Sequence, residues 1–276
     1  MLKLAVVGKD VSKSLSPAMH TFLLKKMGEE CTYECVSIPP EEFPARAQEL
    51  LECYDGFNVT IPFKTDIIPH LAGTAGDART FGAVNTVNAR TRTGYNTDGL
   101  GFMLMLENAG VDVRDKRVLV LGAGGAGRSC IYKLCEGGAR VYAYERDALR
   151  LKQVYEEFGN FVTLDTVPVR QYDVIVNCTG VGMHASVGRT PSVRTAAGEV
   201  PVGEELLSKC SAAVDLIYEP KQSEFLRVAA SLGKRTVNGE AMLFYQAYYS
   251  DCIYLERTPS ADEAKAYYEA YSGGEA

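Results

Sequence analysis

The sequence predicts an α/β protein of two domains. The first is an N-terminal open, mostly parallel α/β sheet with crossover helices, and the second is a parallel sheet built around a glycine-rich turn. Three observations carry this. Short apolar runs rich in branched residues alternate with helical patterns through residues 2–59 and again through 117–237, and such alternation builds parallel sheets with helical crossovers. Between the two runs, residues 73–97 are rich in Gly, Thr, Asn and Arg and hold only short strand-like pieces. At 276 residues, the chain is also longer than one compact core comfortably uses.

Residues 2–7 (Leu-Lys-Leu-Ala-Val-Val) read as a first strand. Residues 16–27 read as a helix, with Ser16 as N-cap and Pro17 at the first helical position, where its missing N–H is no loss. A strand over 32–37, a helix over 41–52 and a strand over 56–59 follow. Strand pieces at 83–88 and 94–96 precede a helix over 100–109, and the domain boundary lies near 99–110. The second alternation predicts strands over 117–121, 140–144, 174–177, 212–215 and 235–237, with helices over 126–136, 148–158 and 223–232. Segment 182–203 shows no clear element, and helices over 240–255 and 261–271 end the chain.

Composition excludes several function classes. Hydrophobic residues make up 46% and charged residues 23%, as in ordinary globular proteins and not disordered ones. The net charge of −6 argues against sequence-independent binding of nucleic acid, which needs basic surface. No apolar run reaches transmembrane length, and the short apolar start reads as a strand, not a signal peptide. The eight cysteines form no C-x-x-C pair, a pattern that fits reduced thiols in a cytoplasm. His20, His70 and His184 have no spacing suited to zinc, so no metal is expected.

The glycine-rich turn carries the clearest chemistry. Gly122-Ala123-Gly124-Gly125-Ala126-Gly127 fits G-x-G-x-x-G between an apolar strand and a helix, the context of a Rossmann-type dinucleotide site. Gly122 permits the tight turn, Gly124 lets the backbone approach a pyrophosphate, and Gly127 lets helix and strand pack closely. The helix N-terminus offers free amide donors and a positive dipole end. Glu145, about 20 residues on, stands where an acid binds the ribose hydroxyls of NAD; Arg146 beside it could accept the 2′-phosphate of NADP. The two residues argue in opposite directions, so NAD and NADP both stay open.

Four polar clusters in the first half are expected at the carboxyl ends of strands, where open α/β sheets bind ligands: Ser14 and Ser16; Asn58 to Lys64, including Thr60; Gly82 to Thr86, including Asn85; and Asn96 to Gly99, including Asp98. Ser14 and Ser16 alternate along an extended stretch, so both hydroxyls can point one way and together suit a carboxylate.

The S-x-S-P-x-x-H run from Ser14 to His20, N-V-T-x-P-x-K from Asn58 to Lys64, G-A-V-N-T from Gly82 to Thr86 and N-T-D-G from Asn96 to Gly99 resemble the shikimate dehydrogenase (shikimate/quinate dehydrogenase) family in order and spacing. The glycine turn, Asp215-x-x-Tyr218-x-Pro220 and Gly239-x-x-Met242-Leu243-x-x-Gln246 extend the resemblance over about residues 5–250. It implies a substrate-binding catalytic domain at 1–99, joined by C-terminal helices at 239–276, and a Rossmann NAD(P)-binding domain at 100–238. It also implies reversible NAD(P)-dependent reduction of 3-dehydroshikimate to shikimate in the aromatic amino-acid (chorismate) pathway, by a cytoplasmic monomer or homodimer.

Residue by residue, the resemblance implies a catalytic Lys64/Asp98 pair. Ser14 and Ser16 would hold the substrate carboxylate, with Thr60 nearby and Tyr218 lining the cleft near it, and Asn85 and Gln246 would bind ring hydroxyls. The cofactor set would be residues 122–127 with Glu145, Arg146, Thr179, Gly239 and Met242. Lys64 could relay a proton or mainly orient the substrate; both readings stay open. Glu145-Arg146-Asp147 replaces the Asn-Arg-Thr run common among NADP users. A quinate or quinate/shikimate dehydrogenase using NAD is the alternative.

Overall fold

The computed structural model describes residues 1–183, 193–194 and 199–274. The chain divides into two compact units, Met1–Gly101 with Phe244–Ala276, and Phe102–Leu243.

The first unit contains β1 (Leu2–Gly8), α1 (Ser16–Lys26), β2 (Cys31–Ser37), α2 (Phe43–Cys53), β3 (Gly56–Val59), a 3₁₀ turn (Ile68–His70), β4 (Gly73–Thr74), α3 (Asp77–Phe81), β5 (Thr86–Asn88), β6 (Thr93–Tyr95) and the start of α4 (Asp98–Asn108). Its six strands lie in the order β2-β1-β3-β5-β6-β4. β1 runs parallel to β2 and β3, whereas β5 runs antiparallel to β3 and to β6.

Side chains alternate across a strand, and β1 uses both faces. Ala5 and Val7 join Phe57, Val59 and the α2 residues Phe43, Ala47, Leu50 and Leu51 in one buried core. There the Phe43 and Phe63 rings stack with centroids 4.0 Å apart. Leu4 packs on the opposite face with Leu24 and Tyr254. The last two helices, α9 (Glu240–Tyr254) and α10 (Ala261–Ser272), thus return the chain's end to this unit.

α1 begins one residue away from where its serine suggested. Leu15 holds the cap position, in helical conformation and without a side-chain cap bond. Ser16 is already helical, and its N–H donates to Ser14 Oγ at 3.2 Å. Ser14, not Ser16, therefore satisfies an orphan amide of the first turn. The helix expected from residue 41 begins at Phe43, just before Pro44.

The second unit contains β7 (Arg117–Leu121), α5 (Gly125–Glu136), β8 (Arg140–Tyr144), α6 (Ala148–Phe158), β9 (Val162–Leu164), β10 (Val174–Asn177), β11 (Val193–Arg194), β12 (Glu199–Val200), α7 (Glu204–Leu207), β13 (Ala212–Asp215), α8 (Glu224–Ser231) and β14 (Arg235–Val237). Its main sheet has the order β14-β13-β10-β7-β8-β9, and every pairing in it is parallel. The order reverses beside β7, giving the doubly wound arrangement whose ligands sit at that switch point. β10 and β13 are buried at all four positions, because helices cover both faces of such sheets.

Segment 182–203 is not wholly without structure: β11 and β12 pair antiparallel, Val193 opposite Val200. Two-residue strands are too short to leave a period in a sequence. Residues 184–192, which include His184, and residues 195–198 lie outside the described residues. Among the described residues, no helix is long and apolar enough to cross a membrane.

Candidate active site

The four polar clusters meet at one edge of the first sheet. β1, β3 and β6 deliver their clusters at their carboxyl ends. Asn85 instead precedes β5, so its cluster lies at the amino end of a strand, contrary to the expected carboxyl end. The reversed direction of β5 brings it to the same edge. Backbone bonds fasten these ends together: Thr60 N–H donates to Val7 O at 2.8 Å, Val59 N–H to Asn85 O at 2.8 Å, Val84 N–H to Lys64 O at 2.7 Å, and Asn85 N–H to Tyr95 O at 3.0 Å.

Lys64 Nζ donates to Asp98 Oδ2 at 2.6 Å. The side chains are 20% and 11% exposed, so the pair is mostly withdrawn from water yet reachable. A contact this short between ions is a strong, charge-assisted hydrogen bond. Asp98 is the first residue of α4, where the helix dipole favours a carboxylate, and its N–H donates to Asn96 Oδ1 at 3.1 Å. Asn85 Nδ2 donates to Asp98 Oδ1 at 2.7 Å and to Thr97 Oγ1 at 2.9 Å, and lies 3.4 Å from Gln246 Oε1. Thr97 N–H closes the loop on Asn85 Oδ1 at 2.9 Å. Both carboxylate oxygens of Asp98 are thus held, while Lys64 keeps further N–H groups for a ligand.

Ser14 Oγ donates to Ser16 Oγ at 3.0 Å. Both serines and Thr60 are partly exposed, as ligand-contacting hydroxyls must be. Behind the edge, Asn58 accepts from Tyr33 Oη at 2.7 Å and from Tyr254 Oη at 3.0 Å. Its amide donates to Ser250 Oγ at 3.1 Å. Deeper still, His20 Nδ1 and Asp251 Oδ1 lie 2.6 Å apart, both fully buried, with His20 stacked on Tyr33 at 4.5 Å.

In the second unit the glycine turn has the shape its sequence implied. Gly122 has φ +94°, a conformation that side chains resist. A Cβ on Gly127 would stand 2.1 Å from Gly122 O, whereas one on Gly124 or Gly125 would meet nothing within 4 Å. The turn is closed towards its own strand and open outward, a cradle that fits a pyrophosphate at the start of α5. A cavity of about 210 Å³ opens there, lined among others by Gly122, Gly124, Glu145, Arg146, Arg150 and Thr179. Glu145 Oε2 accepts from Ala123 N–H at 2.9 Å. The residues therefore fit a dinucleotide, and among the described residues no group of side chains could hold a metal.

Comparison with known proteins agrees with this geometry. The model of the shikimate dehydrogenase substrate binding domain matches residues 6–87, and that of shikimate / quinate 5-dehydrogenase matches residues 104–189. A relative from Thermus thermophilus, shikimate dehydrogenase (NADP(+)), is 39% identical over 251 residues, 89% of this chain and 89% of that one. The chain belongs to the shikimate dehydrogenase family. A T. thermophilus shikimate 5-dehydrogenase solved with NADP(H) and shikimate aligns at TM-score 0.83 and 34% identity, over 97% of this chain and 98% of that one. A chorismate mutase/shikimate 5-dehydrogenase fusion protein from Clostridium acetobutylicum aligns at 0.86 and 30%, over 99% and 98%.

Of the residues singled out by likeness to shikimate dehydrogenases, the first unit brings Lys64, Asp98, Asn85 and Gln246 into one hydrogen-bonded group. The second unit places Glu145, Arg146 and Thr179 with Gly122 and Gly124 around one cavity. Gly239 has a packing role of its own: an added Cβ would stand 2.0 Å from Leu216 O. Met242 is buried, and Tyr218 is partly exposed after β13, with burial raising its phenol above the ordinary value. Sequence reasoning left Thr97, Ser250 and Asp251 without roles. Ser250 had a signal, since it lies four residues beyond Gln246 and so on the same face of α9. Asp251 had none, because its partner His20 is 231 residues away.

Proposed function

We propose that the chain catalyses the reversible reduction of 3-dehydroshikimate to shikimate with a nicotinamide dinucleotide, through the Lys64/Asp98 pair. The observation that carries the assignment is the 2.6 Å Lys64–Asp98 contact at the sheet edge that also presents Ser14, Ser16 and Thr60. The relatives' names favour shikimate over quinate, and those relatives are NADP(+) enzymes.

The division of labour follows from the chemistry of each side chain. Ser14, Ser16 and Thr60 donate hydroxyl hydrogens to the substrate carboxylate, with Tyr218 assigned beside it. Asn85 and Gln246 meet ring hydroxyls, and Asn85 also holds Asp98 in place. The dinucleotide supplies the hydride when bound, cradled by Gly122, Ala123, Gly124, Gly125, Ala126 and Gly127 with Glu145, Arg146, Thr179, Gly239 and Met242. In the reductive direction Lys64 donates a hydrogen bond to the ketone oxygen and passes it a proton as negative charge develops there. Solvent then reprotonates the amine. In oxidation the same nitrogen accepts the hydroxyl proton. Asp98 aims the ammonium and accepts from the neighbouring hydroxyl.

The eight cysteines are all free thiols, which supports a cytoplasmic home, and we assign the enzyme as a monomer or homodimer. Initial rates with shikimate and with quinate, each with NAD+ and NADP+, test the assignment. Shikimate turnover exceeding quinate turnover is the expected result; the reverse would replace it with the quinate reading.

A further inference from the structure

The nucleotide cavity carries a feature that separates the two dinucleotides. Glu145 directly follows β8, with its side chain only 8% exposed, yet it lines the cavity beside Gly122 and Gly124. Both of its oxygens are pinned by backbone donors: Oε2 accepts from Ala123 N–H at 2.9 Å and Oε1 from Asp147 N–H at 3.2 Å. Each oxygen retains lone-pair capacity for a second donor, so the carboxylate is fixed in place and still able to accept from ribose hydroxyls. A 2′-phosphate offers no such donors when fully ionised, brings negative charge against a carboxylate that cannot swing aside, and finds the Ala123 N–H already taken.

The flanking cations do not reverse this. Arg150 lies 3.7 Å from Glu145 and 3.7 Å from Asp147, so its charge is shared between two carboxylates. Arg146 also lines the cavity and keeps the discrimination finite.

We infer that Glu145 is a specificity-determining residue that makes this chain bind NAD(H) more tightly than NADP(H), unlike the NADP(+) relatives it otherwise matches. The inference rests on the dinucleotide reading of the glycine turn, but not on the identity of the substrate.

The test is calorimetric titration of the free, full-length protein with NAD+ and NADP+, and with the fragments adenosine 5′-monophosphate and adenosine 2′,5′-bisphosphate. We expect NAD+ to bind at least about tenfold more tightly, since one buried like-charge contact readily exceeds the energy of a tenfold ratio. The fragments should follow the same order, which locates the effect at the ribose. Glu145→Gln keeps a hydrogen-bond acceptor for Ala123 but removes the charge; it should tighten NADP+ by about tenfold and bring the ratio near one. Equal or tighter NADP+ binding by the wild type, or an unchanged ratio in Glu145→Gln, would overturn the assignment. If neither dinucleotide binds, the dinucleotide reading itself falls and the inference with it, whereas failure to oxidise shikimate in a protein that binds NAD+ would strike only at the substrate.

Discussion

Asn85 and Asp98 are joined side chain to side chain at 2.7 Å, and the oxygen that Asn85 leaves free on Asp98 is the one that meets Lys64. The carboxylate is therefore aimed by a neutral amide on one side while it holds an ammonium on the other. Lys64→Ala should lower kcat for shikimate by about 10²–10⁴-fold, the range for a lost proton-transfer group, with a much smaller change in KM. Asp98→Asn should behave similarly while keeping the fold. Steady-state kinetics with circular dichroism as a folding control checks both, and wild-type turnover by Lys64→Ala would remove the lysine from the mechanism.

Substitution of the serines should have the opposite kinetic signature. Ser14→Ala or Ser16→Ala removes a hydrogen bond to a charged group, which is typically worth about 1.5–3 kcal/mol. KM for shikimate should rise about 10-fold or more in each, with kcat changed less. A KM effect confined to the cofactor would contradict their placement at the substrate carboxylate.

Gly127→Ala tests the turn. The added Cβ would press on Gly122 O at 2.1 Å, a backbone atom that cannot move aside cheaply. Loss of about 1–3 kcal/mol of stability should accompany loss of dinucleotide binding, read by thermal melting and calorimetry. The parallel Gly125→Ala change, facing open space, should leave the melting temperature nearly unaltered.

Asp215 sets a pH dependence. It is fully buried and accepts from Asn177 and the Ile217 amide at 3.0 and 3.1 Å as well as from Ser223. Burial outweighs these donors and pushes its carboxyl from 3.8 up to about 6. Between those values the folded state binds more protons than the unfolded one, so this residue's contribution is fully present below the unfolded value and falls as pH rises through the folded one. The loss is about 3 kcal/mol at most. Denaturant unfolding across pH 4–7 should show that slope flattened in Asp215→Asn; an unchanged slope would mean that Asp215 is ionised throughout.

Much of this was legible in the amino-acid sequence because strong local periods mark it. β7, β8, β10, β13 and β14 lie where their apolar runs placed them. The glycine turn lies between its strand and helix as its spacing required. The pieces that escaped are short or distant. β4, β11 and β12 span only two residues each, too few for a period to register. The direction of β5 is set by its pairing with β3, which no local pattern encodes, and the reversal decides where Asn85 points its amide. The Lys64–Asp98 contact spans 34 residues, so spacing alone could not join them.

The return of α9 to the first sheet orders events at the ribosome. Asn58 donates to Ser250, 192 residues downstream, and the aromatic wall around Leu4 is completed by Tyr254. Residues 102–243 are complete while the unit that encloses them in sequence still lacks its last helices. During synthesis the nucleotide-binding half can therefore close first, and the amino-terminal sheet must wait with one face bare. A fragment ending at Leu243 should be cleaved readily by protease within residues 1–101 and resist it in the second unit, because a protein of this connectivity matures from the middle outward.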